Sequence, residues 1–156
     1  MKRVKIGDVF EVPTSNGLVY GQYTHKNDEY GALIRIFTGF YPTRPNDLTT
    51  ISLQPVQFTV FFPIQRAVNL GLITHCANFP VIPENAVFPI FRSASRSKEG
   101  KRSADNWWVW DGATSKRLGR ILTEEEKKYP VEGIISFPLL VERAENLYAA
   151  EKDDIY

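Results

Sequence analysis

The two histidines are His25 and His75, and His75 stands beside Cys76, the single cysteine of the chain. A thiol next to an imidazole raises the question of a nucleophile and its base. In an extended segment, however, successive side chains point to opposite faces, so His75 and Cys76 cannot hydrogen-bond to each other. Cys76 in the run ITHCANF therefore reads as a small apolar residue. A zinc site needs several His, Cys or carboxylate ligands at suitable spacing, and neither histidine has such partners nearby in the chain. Asp8, which follows Gly7, reads either as an acid or base or as a turn residue receiving backbone N–H groups, and the sequence favours the turn residue. No glycine-rich phosphate loop and no G-x-S-x-G elbow is present in the sequence. The expectation is a non-enzymatic protein with no catalytic residue, no metal and no cofactor.

The segment NWWVWDG, Asn106 to Gly112, holds all three tryptophans. In a strand, Trp108 and Trp110 share one face while Trp107 and Val109 share the other. With both faces apolar, one is expected in a sheet core and the other under a second element such as the C-terminal helix. An individual indole can still be exposed, and tryptophan is enriched where proteins bind one another. The preceding loop, Ser93–Asp105, carries Arg96, Lys98, Lys101 and Arg102. Basic side chains beside aromatics suit phosphate contacts and base stacking. The formal net charge is only +1, so no global field draws nucleic acid, and no nucleic-acid-binding motif is present. An acidic protein partner fits this loop better. The candidate partner-binding residues are Arg96, Lys98, Lys101, Arg102, Trp108 and Trp110. A nucleic-acid-binding module using the basic loop 92–102 and the neighbouring aromatics is the alternative.

The elements that must position these residues are mostly strands. Aromatics reach 13%, and ten prolines and ten glycines separate short apolar runs. IGDVFEVP and LVYGQYTHK, joined at Thr14–Gly17, read as a hairpin. YGALIRIFTGF and PVQFTVFFP read as the next strands, with Val56, Phe58, Val60 and Phe62 in alternation. IQRAVNLG suits a short helix ending at Gly71. LITHCANFPVIP, NAVFPIFRS, NWWVWDG, RLGRIL and VEGIISF read as further strands. Thr123 and Glu126 have the spacing of a capping box. PLLVERAENLYAAEK predicts a helix whose stripe is Leu139, Leu140, Ala144, Leu147 and Tyr148.

The length of 156 residues suits one domain, with residues from about 151 to 156 expected as a disordered tail. The fold class expected is α+β, mostly β: a strongly bent antiparallel sheet or partial barrel with the C-terminal helix packed on it. The start MKRVKIGD has no apolar core of a secretory signal, and no apolar run reaches membrane-spanning length. A cytoplasmic protein with no membrane partner is the expectation.

The N-terminal segment KIGDVFEVP, with its turn and LVYGQY, resembles the opening of the immunity protein 26 family of bacterial polymorphic-toxin systems. The matching positions are Gly7, Asp8, Phe10, Pro13, Tyr20, Gly21 and Gln22, within Lys5 to Tyr23. The resemblance implies a binding protein that neutralises a cognate protein toxin and has no catalytic residues. It leaves the contact surface unassigned, and Gly7, Tyr20 and Gly21 suit hairpin geometry.

Overall fold

Along Asp8–Thr14, strand β1, alternation sends Phe10 and Val12 to one side and Val9 and Glu11 to the other. In the computed structural model, which describes residues 2–96 and 104–153, β1 lies within an antiparallel sheet of five strands. Its companions are β2 (Gly17–Asn27), β3 (Gly31–Phe37), β4 (Val56–Phe61) and β5 (Thr74–Asn78), in the order β4-β3-β2-β1-β5. The sheet is open, with β4 and β5 at its edges. Register shifts at Val9/Phe10, Tyr23/His25 and Ile36/Phe37 interrupt its ladders. Two short helices, α1 (Ile64–Asn69) and α2 (Pro83–Ala86), flank β5 in sequence. A second sheet of three strands follows: β6 (Phe91–Arg96), β7 (Ala104–Trp110) and β8 (Ser115–Gly119). The helix α3 spans Phe137–Glu145. Contacts gather the chain into two compact units, one running up to Val87 and including Gly133–Tyr148, the other comprising Phe88–Glu132 and the residues from Ala149.

In the first unit the five-stranded sheet has two different faces. One carries Phe10, Val12, Val19, Ile34, Ile36, Phe58 and Val60, all buried. Helix α3 packs across β1 and adds Leu140 and Ala144 to that core, so the C-terminal helix covers this sheet. Each large aliphatic or aromatic side chain buried there contributes about 1.5–3 kcal/mol. The other face holds a smaller cluster of Val9, Tyr20, Phe37 and Ile51. Beside that cluster runs a polar row set by register: Gln22 pairs with Arg35, and Arg35 with Thr59. The extra residue at the Ile36/Phe37 irregularity turns Val56 to this second face, away from the side of Phe58 and Val60 predicted for it.

Other expectations are corrected locally. NAVFPIFRS is not one strand: a helical turn at Pro83–Ala86 precedes β6, because Pro83 suits a helix start. VEGIISF makes only isolated bridges, through Val131 and Ile134, and Ile134 is exposed. Helix α3 is capped by Ser136, whose hydroxyl accepts the Leu139 N–H at 3.4 Å. It stops two residues before Leu147, which therefore leaves the predicted stripe and adopts φ of 53°. The Tyr148 N–H bonds the Arg143 carbonyl at 2.9 Å across that turn, the wrap usually built on glycine. Glu151 and Lys152, at the start of the tail expected from about 151, belong to a 3-10 turn over Ala150–Lys152, while 154–156 lie outside the described residues.

Candidate functional site

Gly7 opens the N-terminal motif with φ of +95°, and a side chain there would lie 2.7 Å from the Phe79 carbonyl oxygen. Asp8, next in the chain, is completely buried. Its carboxylate accepts the Lys5 N–H and the Asn78 side-chain N–H, both at 2.9 Å. His75 Nε2 lies 3.0 Å from the same carboxylate. Burial pushes the Asp8 carboxyl up, but the Asn78 amide, the Lys5 N–H and His75 together hold it below the ordinary carboxylate value. Asp8 thus receives a backbone N–H, as its turn reading predicts, and also meets the Asn78 amide and a histidine that the sequence did not pair with it.

The polar row of the second face is closed by the segment from Phe79 to Val87. Gln22 Nε2 donates to the carbonyls of Phe79 (2.9 Å) and Gly7 (3.2 Å). Arg35, 5% exposed, donates to the Thr24 hydroxyl and, at 2.8 Å, to the Val87 carbonyl. His25 Nε2 lies 2.8 Å from the Ala86 carbonyl, and its Nδ1 lies 3.0 Å from the Thr24 hydroxyl. One assignment satisfies the whole chain: the imidazole is neutral with its proton on Nε2, and Thr24 donates to Nδ1. Burial lowers the His25 pKa, as this neutral form requires, with Ala86 opposing and Arg35 assisting. Burial likewise brings Arg35 down to about 10. These donors fasten the segment over the sheet. Gly21, between Tyr20 and Gln22, leaves room that a side chain would take, since a Cβ would meet Ile36 Cδ1 at 2.7 Å.

Cys76 packs beside the Val9–Tyr20 cluster, and its thiol donates to the Val9 carbonyl at 3.4 Å. Burial pushes the thiol up to about 11. His75 instead meets Phe10 edge-on, with ring centroids 5.8 Å apart. The neighbours diverge as strand alternation predicts. Among the described residues, no three or more His, Cys, Asp or Glu side chains gather as a metal site.

In the second unit, β7 is the middle strand, so its tryptophans have a strand on each side. Trp107 is 3% exposed, and the buried Arg92 guanidinium stands 4.7 Å over its ring. Arg92 also donates to the Tyr129 and Ala150 carbonyls, which removes it from the basic surface read for 92–102. Trp110 pairs across the strand with Phe91 and meets Phe88 edge-on at 5.4 Å. Trp108, on the same face as Trp110 by register, is 38% exposed. Arg96 belongs to β6, but its side chain lies outside the description, and Lys98, Lys101 and Arg102 lie outside the described residues altogether. Of the predicted contact residues, the structure therefore locates the side chains of Trp108 and Trp110, one exposed and one partly enclosed by aromatic rings.

Sequence reasoning did not find a groove of about 530 Å³ in the first unit. Its floor includes Tyr23, Tyr30 and Phe62, and its walls include Arg3, Lys26 and Arg66. The three cations are far apart in sequence, and no local motif announces their meeting. Among the described residues, no helix is long and apolar enough to cross a membrane. No protein-family model, no curated protein and no solved structure matches this chain.

Proposed function

We propose that the protein is a non-catalytic immunity protein that binds a cognate bacterial toxin in the cytoplasm and neutralises it by surface complementarity. The observation that carries this reading is Trp108, a large indole left 38% exposed on a strand whose other tryptophan contacts are internal. Such a ring supplies contact area at low entropic cost and is a frequent anchor of protein interfaces. The fate of the polar groups supports the same reading. Asp8, Gln22, Arg35 and His25 hold the chain's own carbonyls and amides, and the Cys76 thiol is kept protonated by burial. The N-terminal resemblance supports it independently of Trp108, because Gly7, Asp8, Gly21 and Gln22 all belong to the frame. The test is affinity capture from the cell that makes the protein, using the wild-type chain and Trp108→Ala. A toxin-like protein recovered at equal stoichiometry by wild type and lost with Trp108→Ala is the expected result. Recovery of no such protein contradicts the proposal.

A further inference from the structure

The groove of the first unit gathers cations from three separately anchored elements. Gln65 on α1 clamps the N-terminal segment on both sides of Arg3: its Oε1 accepts the Val4 N–H at 2.9 Å, and its Nε2 donates to the Lys2 carbonyl at 3.2 Å. Lys26 stands on β2 opposite Ala32, and Arg66 on α1. The floor is equally fixed at Tyr30. Asn27 Oδ1 accepts the N–H groups of Glu29 and Tyr30, and the Tyr30 ring stacks on Phe61 at 4.9 Å.

Arg3, Lys26 and Arg66 are exposed, and no carboxylate belongs to the lining. Among the described residues, no ion pair engages any of the three. Between them lies an apolar floor of Tyr23, Tyr30 and Phe62, with exposed Ile134 at the edge.

We infer that this groove docks an acidic segment of a protein partner, with carboxylates on Arg3, Lys26 and Arg66 and an apolar side chain on the Tyr23–Phe62 floor. The inference rests on the reading of the chain as a binding protein and assigns it a second contact surface, in the first unit. Charge complementarity selects the sign of the ligand. The floor selects against a bare inorganic anion, which has no surface to bury there. The spread of the cations selects a chain over a nucleotide: phosphate sites concentrate main-chain N–H groups at one point, whereas these charges stand on three elements.

The experiment titrates the full chain with a short fluorescent peptide of alternating Glu and Leu residues. The same peptide with Lys for Glu, and ATP, form the other arms, and fluorescence anisotropy is the readout. Saturable binding of the Glu peptide is expected, weakened by salt and by about tenfold in Lys26→Glu/Arg66→Glu. All three cations are exposed, and amide spectra of the variant check its fold. Absence of saturable binding, equal affinity for the Lys peptide, or an affinity unchanged by charge reversal overturns the inference. Binding of ATP alone also overturns it, because the occupant is then a small anion. The double variant, used as bait for the captured toxin, separates the two readings. Undiminished capture removes the groove and leaves the binding function standing. Peptide binding to a wild-type chain that captures no toxin leaves the groove and removes the function.

Discussion

Replacing Asp8 separates a structural carboxylate from a working acid or base. The side chain is fully buried and receives two hydrogen bonds of 2.9 Å, from the Lys5 N–H and the Asn78 amide. Asp8→Ala strips both donors of their acceptor. A hydrogen bond to an ionised carboxylate is worth about 1.5–3 kcal/mol, and both donors stand on exposed residues, Lys5 and Asn78, where water can replace part of the lost bond. The Asn78 amide also reaches the Ile6 carbonyl at 3.2 Å, which relieves one of them and places the expected loss at about 2–3 kcal/mol. Asp8→Asn keeps one acceptor oxygen and loses about 1–2 kcal/mol. The pH dependence has a definite sign. Because the folded carboxyl sits below its ordinary value of 3.8, its stabilisation is complete above that value and is lost as the pH falls through the folded pKa. Wild type and Asp8→Asn are therefore well separated near neutral pH and converge as the pH falls from 3.8 through the folded pKa. Urea unfolding followed by far-ultraviolet circular dichroism measures both. The tryptophans report the second unit, so their fluorescence is the wrong probe. An Asp8→Ala variant within about 0.5 kcal/mol of wild type, or more stable than it, refutes the clamp. The second outcome is the one expected of a strained active-site acid.

The Cys76 thiol, pushed up to about 11 from 9.0, carries about a hundredfold less thiolate at mildly alkaline pH than an unperturbed thiol; the greater nucleophilicity of a more basic thiolate offsets about tenfold of this, so alkylation of the native chain is slower by about tenfold or more, and labelling at the free-thiol rate refutes it. His25 is held neutral with a lowered pKa, so stability falls as the pH drops below 6.5, and His25→Gln flattens that limb of an acid-unfolding curve. Leu147→Gly relieves a left-handed residue with φ of 53° that is 55% exposed, and raises stability by about 0.5–1 kcal/mol in urea unfolding. Gly112→Ala lowers the stability of the second unit by about 2 kcal/mol, seen in tryptophan fluorescence, since φ is +96° and the new Cβ would meet the Phe88 ring at 2.9 Å.

The fold was legible where chemistry is local. The alternation of Phe58, Val60 and Phe62 assigned those residues to one face, and they share one core. The capping box is formed, with Thr123 N–H on Glu126 Oε1 at 2.9 Å and Glu126 N–H on the Thr123 hydroxyl at 3.2 Å. Features set by long-range pairing were not legible. Val56 changed face because β4 takes an extra residue against β3, and no pattern within β4 encodes its partner's register. VEGIISF has strand composition but meets its neighbours only at isolated bridges. Nothing local marks Arg35, because the groups it binds come from Thr24 on the neighbouring strand and Val87, far along the chain. The groove was hidden for the same reason, as Arg3, Lys26 and Arg66 share no motif. Trp108 shows the limit within one strand: alternation placed it beside Trp110, but packing by Phe88 and Phe91 reaches only Trp110.

The central claim is that this chain protects a cell by binding a toxin. Co-expression with the captured toxin in a sensitive host tests it most directly. The account predicts growth restored by the wild-type chain and by Cys76→Ala, and growth lost again with Trp108→Ala despite normal folding. Cells that die equally with and without the wild-type chain contradict it.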